Sequence, residues 1–331
     1  MKIVFMGTPD FASGALEALI EAGHEITAVY TQPDKPKGRG KEMQMTPVKV
    51  VAMEHNIPVY QPHRIKEAEE VARLKEIPAD IFVVAAFGQI LSQEILDIPR
   101  YGCVNIHASL LPKYRGAAPI QWAVIDGEEK TGVTIMQMNA GCDTGDILYT
   151  KEYILEPKET GASLFDKLMV LGAEAIVEAL PLLEAGALTP VPQNEEEATH
   201  AAKLTKQLGE IDFSKSAVVL ERLVRGLNSW PSAYTTFRGK QLKIWEAEVV
   251  VLPDNGAAGA EPGGGVGTEA DSAGTAVRTP GTVIAVDKQS FTVLTGDGAL
   301  QILELQIEGK KRMACKDFLL GYPVAVGEKL G

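Results

Sequence analysis

The chain has 331 residues, 45% of them hydrophobic and 23% charged, with a formal net charge of −12, the composition of a globular protein long enough for two domains of ordinary size. Its longest run without a charged residue is 81–93, short of the roughly 18 to 20 residues needed to span a bilayer. The apolar start is too short for a signal peptide, so a cytoplasmic protein is expected. Net acidity argues against a nucleic-acid partner, yet it is uneven: residues 1–199 hold 17 basic and 29 acidic groups, whereas residues 200–331 hold 15 of each.

Residues 2–6 are an apolar run closed by Gly7, which predicts a buried parallel strand. Thr8 and Pro9 predict the cap and first turn of a helix whose apolar positions continue at helical spacing over 11–21. Residues 25–31 predict a second strand, and the sequence of elements predicts an α/β, Rossmann-like doubly wound sheet. Gly7-Thr8-Pro9-Asp10 lacks the Gly-x-Gly-x-x-Gly fingerprint, so no dinucleotide is expected. Next come Lys35, Lys37, Arg39 and Lys41 among two prolines and two glycines in residues 33–41. That composition argues against helix or strand and by itself describes a solvated loop. Thr46 and Pro47 predict a helix start. Residues 80–87 predict the central strand, which Phe87, Gly88, Gln89, Ile90 and Leu91 leave.

Residues 101–107 predict a further strand, with Asn105 and His107 two positions apart on one face of its end. A loop over 109–119 follows. Open α/β sheets place their ligands at loops beyond the carboxyl ends of strands. Another apolar run, 133–138, leads into Gly141-Cys142-Asp143-Thr144-Gly145-Asp146 and brings a carboxylate to a second strand end. An Asn, a His and an Asp so arranged could act on an acyl or formyl carbon: one stabilises an oxyanion, one moves protons, one orients the imidazole. The same residue types also fit a turn asparagine and a structural histidine. Cys103, Cys142 and Cys315 have no metal-like spacing, and their odd number gives no disulfide framework.

Helices are predicted over 117–125 and 163–183, with an edge strand over 146–155. Pro190, Pro192 and the acidic triplet Glu195, Glu196 and Glu197 predict a linker, taken as 189–206 between a catalytic domain 1–188 and a second domain 207–331. That second domain opens with a helix over 216–228 carrying Val218, Leu220, Leu223, Val224 and Leu227. Strand-length pieces follow at 233–238, 241–250, 281–286, 290–294 and 300–305, the pattern of a small OB-like β-barrel. Residues 253–279 interrupt it with Ala, Gly, Ser and Thr, too little apolar surface to order themselves, and predict a flexible insertion. Lys310, Lys311 and Arg312 form the densest basic cluster of this part.

Asn105-x-His107-x-Ser109-Leu110-Leu111-Pro112, Tyr114-Arg115-Gly116-Ala117-Ala118-Pro119, Gly132-Val133-Thr134 and Asp143-Thr144-Gly145-Asp146 together resemble the folate-dependent formyltransferases. The resemblance extends over nearly the whole chain apart from the insertion. It implies transfer of the formyl group of 10-formyltetrahydrofolate to the α-amine of methionine on initiator tRNA, in translation initiation. Asn105 would bond the oxyanion, His107 would shuttle protons and Asp143 would hold the imidazole. Ser109, Leu110, Leu111 and Pro112, with Phe87, Gly88, Gln89, Ile90 and Leu91, would line the folate site; no metal is implied, and a monomer is expected. In tRNA-formylating members a basic, glycine-containing loop enters the acceptor stem, a pattern that Lys35, Lys37, Arg39 and Lys41 match. Cations on such a loop suit phosphates and end bases, and a basic OB-like barrel suits an RNA backbone. One rival is a formyltransferase for a small amine such as glycinamide ribonucleotide or an amino sugar, against which the basic loop and the barrel argue. Another is a non-catalytic RNA-binding protein of the same fold, against which Asn105, His107 and Asp143 argue.

Overall fold

Along β1 (Lys2–Gly7) successive side chains point to opposite faces. Ile3 and Phe5 enter one apolar cluster, Val4 and Met6 another. A strand buried on both faces needs helices on both, which is the logic of a doubly wound sheet. The computed structural model describes residues 1–37, 42–252 and 279–331, and these fall into two units, Met1–Leu204 and Thr205–Gly331. Residues 189–204, expected as linker, thus belong to the first unit.

In the first unit β1 is followed by α1 (Asp10–Glu21), β2 (Glu25–Tyr30), β3 (Lys35–Lys37), β4 (Glu42–Gln44), α2 (Pro47–Glu54), β5 (Val59–Tyr60), α3 (Ala68–Glu76) and β6 (Ile81–Ala85). Then come α4 (Gln93–Leu96), β7 (Cys103–His107), β8 (Arg115–Gly116), α5 (Pro119–Asp126), β9 (Lys130–Gln137), β10 (Ile147–Ile154), α6 (Gly161–Glu184) and β11 (His200–Ala201). The main sheet has seven strands in the order β10-β9-β7-β6-β1-β2-β5. It is parallel from β5 to β7, and β9 and β10 add antiparallel, so β10 is the expected edge strand. Phe11, Leu16 and Leu19 of α1 and Leu164, Leu168 and Ile176 of α6 cover one face. Val71, Leu74, Ile95 and Leu96 of α3 and α4 cover the other.

Three local expectations are corrected. Thr8 does not cap α1, whose N-cap is Pro9; its hydroxyl instead donates to the Phe87 carbonyl at 3.2 Å and accepts from Gln32 N at 3.3 Å, tying two strand ends together. Lys35–Lys37 is not loop but pairs antiparallel with Glu42–Gln44. A two-stranded ribbon tolerates Pro36 because a proline there removes one donor only. Third, the linker is docked: Val191 exchanges backbone hydrogen bonds with Ile147 at 2.8 and 2.9 Å, and β11 pairs with β8. Thr46 does cap α2, accepting from Lys49 N at 3.2 Å. No helix among the described residues is long and apolar enough to cross a membrane.

In the second unit α7 (Ala217–Gly226) is capped by Ser216. β12 (Ala233–Phe237), β13 (Lys240–Val250), β14 (Val283–Val286), β15 (Phe291–Leu294), β16 (Ala299–Ile307), β17 (Met313–Ala314) and α8 (Cys315–Gly321) follow. The strands form one antiparallel sheet in the order β12-β13-β16-β15-β14, with β17 on β16. The five strands expected of the OB-like domain are those five. Leu220 and Val224 of α7 enter this unit's own core and Leu227 is buried, whereas Val218 of the expected stripe is 43% exposed. The expected insertion lies outside the described residues except at its edge.

Candidate active site

β7 has hydrogen-bonded neighbours on both sides. Asn105 sits in register with Val84 of β6 and Met136 of β9, and His107 with Thr134 of β9. The Asn105 side-chain amide makes no hydrogen bond among the described residues and lies on a cavity wall. His107 is only 5% exposed, and its Nε2 lies 2.9 Å from the Tyr114 carbonyl oxygen. A carbonyl only accepts, so the proton of the neutral ring belongs on Nε2. Nδ1 is left with its lone pair, 3.8 Å from Asp143 Oδ2. Tyr114 is itself held firmly, in a left-handed conformation with φ of 61°. Its amide donates to Thr199 Oγ1 at 2.8 Å, and its hydroxyl to Asp126 at 3.0 Å and Glu128 at 2.8 Å. Burial, then the bond to Glu128, push that hydroxyl above its ordinary value, so it remains a donor.

Asp143 reaches the same place from a turn. Its backbone is left-handed, with φ of 54°, and its Oδ2 accepts from Gly116 N at 2.9 Å. Asn139 Oδ1 accepts from both Gly141 N and Thr144 Oγ1 at 2.9 Å. A Cβ on Gly145 would stand 1.7 Å from the Gln137 carbonyl oxygen, so only glycine lets the turn pass β9 this closely. Gln193 Nε2 donates to the carbonyls of Asp143 and Gly145 at 2.9 and 2.7 Å. Its Oε1 accepts from Arg115 Nε at 2.9 Å, and the rest of that guanidinium grips Glu195 at two distances of 2.8 Å. Sequence reasoning passed over Gly116, Gln193 and Arg115 in this role. The acidic neighbourhood around Gln193 reads as linker, and its partners are 48, 50 and 78 residues away.

Cys142 is exposed beside Asp143, with its Sγ 3.7 Å from Asp143 Oδ2; partial desolvation and then the adjacent carboxylate push its thiol up, which favours the less reactive protonated form. Cys103 is buried and pushed up to about 12. Among the described residues no group of three or more His, Cys, Asp or Glu could hold a metal ion.

Asn105, His107 and Asp143 all border one cavity of about 760 Å³, a size that suits a small-molecule site. Phe87, Gly88, Gln89, Ile90 and Leu91 line it too. Ala86 and Gly88, with φ of 45° and 80°, turn the chain there. The Gln89 amide is already used by the neighbouring loop, accepting from Ile65 N at 2.7 Å and donating to the Pro62 carbonyl at 3.0 Å. Ser109, Leu110, Leu111 and Pro112, expected in the same lining, are not on the wall. Ser109 and Leu111 are buried and Leu110 and Pro112 half-buried; Ser109 Oγ donates to the Lys113 carbonyl at 2.7 Å, and Thr134 Oγ1 donates to the Ser109 carbonyl at 2.7 Å while accepting from Leu111 N at 3.1 Å.

Lys35 is exposed and borders a second, smaller cavity of about 310 Å³ with Asp10, Gln32 and Thr46. Lys37 continues β3, and Arg39 and Lys41 lie outside the described residues. The ribbon is anchored at its base, where Lys49 Nζ meets Asp34 at 2.6 Å and Gln61 at 2.9 Å, and Gln61 Nε2 meets Asp34 at 2.7 Å. The bond from Lys49 holds the Asp34 carboxyl below its ordinary range.

Two family models match the chain: formyl transferase over residues 1–180, and formyl transferase, C-terminal domain, over residues 203–323. The methionyl-tRNA formyltransferase of Agathobacter rectalis is 53% identical over 327 residues, 99% of this chain and 98% of that one. That of Lachnospira eligens is 51% identical over 331 residues, the whole of both chains. An N-formyltransferase from Helicobacter canadensis, solved with folinic acid and dTDP-3-aminofucose, shares the fold at a TM-score of 0.64 and 17% identity, over 91% of this chain and 98% of that one. HypX from Aquifex aeolicus, solved with tetrahydrofolic acid, does so at 0.61 and 20% identity, over 99% of this chain and 48% of that one. Identities of 44 to 53% over nearly the full length, together with models covering both units, mean that the chain belongs to the formyl transferase family, among its methionyl-tRNA formyltransferases.

Proposed function

We propose that the chain transfers the formyl group of 10-formyltetrahydrofolate to the α-amine of the methionine carried by initiator tRNA, acting as a monomer in the cytoplasm. One observation carries the reading. An unengaged amide (Asn105), a histidine with one nitrogen committed and the other open, and a carboxylate border a single cavity, in a chain whose likeness to methionyl-tRNA formyltransferases runs through both units.

The co-substrate supplies a formyl group on nitrogen, and every other contribution comes from the chain. Asn105 donates to the formyl oxygen as negative charge gathers on it, a fixed dipole aimed at the charge that develops in the transition state. His107 Nδ1 takes the proton of the attacking α-amine and returns it to the departing nitrogen, while Nε2 keeps its bond to Tyr114 and stops the ring from turning. Asp143 lies where the imidazole becomes positive, and its carboxylate stabilises that charge. Phe87, Gly88, Gln89, Ile90 and Leu91 seat the folate ring system by apolar contact and main-chain groups. Lys35, Lys37, Arg39 and Lys41 grip the acceptor end of the tRNA, and the second unit serves as a further RNA-binding surface.

The test is incubation with labelled 10-formyltetrahydrofolate and a choice of acceptors: methionyl initiator tRNA, glycinamide ribonucleotide and a nucleotide-linked amino sugar. Label is expected on the methionyl-tRNA, and label on a small amine instead overturns the substrate assignment. Lys35→Ala with Arg39→Ala should weaken aminoacyl-tRNA use by about 1–3 kcal/mol and leave folate binding alone. The slope of log affinity against log salt should become shallower by about 0.7 to 0.9 for each phosphate that is no longer neutralised. Equal slopes and affinities return the basic segment to a solvated ribbon.

A further inference from the structure

Asp143 has a left-handed backbone, which aspartate tolerates better than most residues but still at a cost, and beyond the Asn139 bonds within the turn its carbonyl and carboxylate are held from elsewhere in the chain. Gln193 is half-buried and every polar atom of its side chain is engaged. Both Nε2 hydrogens have an acceptor, the carbonyls of Asp143 and Gly145, and Oε1 takes Arg115 Nε. The amide therefore cannot rotate without breaking three bonds. Its own backbone is fixed two residues earlier, where Val191 pairs with Ile147. Arg115 precedes Gly116, whose N–H holds the Asp143 carboxylate. One cluster thus grips Asp143 at its main chain and at its side chain.

From this we infer that Gln193 is a positioning residue for formyl transfer, holding Asp143 in the backbone conformation that turns its carboxylate toward His107 Nδ1. The inference rests on the reading of Asp143 as the partner of His107. Gln193 touches no reacting atom and is absent from the cavity wall, so its whole effect passes through the turn. Asparagine, shorter by one methylene, cannot span both carbonyls and Arg115 from the same backbone.

The experiment is a cycle of Gln193→Met, Asp143→Asn and the double variant, reading kcat, KM for both substrates and the melting temperature. Methionine keeps the length and removes every hydrogen bond. Gln193→Met should lower kcat about 10-fold, with both KM values within about twofold of the parent, the signature of a loss felt in the transition state. In the Asp143→Asn background the same change should matter by less than about twofold, because residues acting through one another are not additive. An equal fall in both backgrounds, an unchanged kcat, or a loss confined to KM overturns the inference and leaves Asp143 in place. An Asp143→Asn variant with parental kcat overturns the reading of Asp143 and the inference with it. Should Gln193→Met melt early, Gln193→Glu takes its place: it is polar, has the same length and turns acceptors toward both carbonyls, and the same outcomes decide.

Discussion

The end of β7 and the turn at 139–145 bring their groups to one cavity by different physical means. At β7 the main chain does the placing: Asn105 and His107 each have registered neighbours across the sheet, and any sequence with the right alternation would put those positions there. No ladder reaches Asp143. It is held by Gly116 N, by Gln193, and by an Asn139 side chain that closes the turn. Position on a ladder depends on pattern, whereas position on a turn depends on individual side chains, so the two ends of the same site should differ in what breaks them.

The largest effect is expected from removing the groups themselves. His107→Ala and Asp143→Asn should each lower kcat by about 100-fold or more, and the double variant by far less than the product, since the two act as a unit. Steady-state rates of the three variants decide it, and full turnover in a folded His107→Ala protein breaks the assignment. Next comes Gly145→Ala, where a methyl group must find room 1.7 Å from a backbone oxygen. Turnover should fall roughly 30-fold through displacement of Asp143, since a shift of about 1 Å can cost up to about 100-fold, with the melting temperature moved by a few degrees at most. A turn held chiefly by its own backbone would lose far less activity.

A smaller effect tests side-chain placement away from the cavity. Glu159, nearly fully buried before α6, gathers bonds from Tyr153 at 3.0 Å, Lys167 at 2.9 Å and Ser163. Burial alone would push its carboxyl up, but those donors hold it below the ordinary 4.5. Its folded value is therefore the lower one, and its contribution is fully present above about pH 4.5 and lost as the pH falls through the folded value. Glu159→Gln should cost roughly 2 kcal/mol at pH 7, a difference that shrinks as the pH falls below about 4.5 and through the lower folded value, with kcat unaffected; denaturant unfolding at pH 7 and across the acid range checks this. The smallest is Thr134→Val on the ladder side. It strips a partner from Leu111 N and the Ser109 carbonyl and should cost about 1–2 kcal/mol of stability, while kcat stays within about threefold. If Thr134→Val lowered turnover as much as Gly145→Ala, the ladder would not be what places His107.

The same division sets what could be read from sequence. Apolar runs at 2–6, 80–87 and 133–138 announced β1, β6 and β9, because a strand buried on both faces has almost no choice of residue type. Thr46 announced its helix through capping chemistry, and the apolar positions over 216–228 announced α7. α3 went unseen: its charge-rich stretch buries only Val71 and Leu74, too narrow an apolar stripe to stand out. Thr8 had the form of a cap, but the Phe87 carbonyl and Gln32 amide claimed its hydroxyl. The basic stretch around Lys35 looked too rich in proline and glycine to pair, yet a two-stranded ribbon requires few main-chain bonds. Asn105, His107 and Asp143 were legible as types in a motif. Gly116, Gln193 and Arg115 were not, because nothing local distinguishes a glutamine that will meet two carbonyls some fifty residues earlier.

The Tyr114 carbonyl that receives the His107 ring proton is a main-chain atom, present whatever residue occupies position 114. Substitution can shift it or loosen it, but no change of codon deletes it. The choice of which imidazole nitrogen stays open is thus recorded in the path of the chain between two positions seven residues apart, a form of memory that drifts only when the backbone does. A histidine whose tautomer was set by a neighbouring carboxylate or hydroxyl would be one mutation from ambiguity; this one can lose its speed by many routes and its orientation by very few.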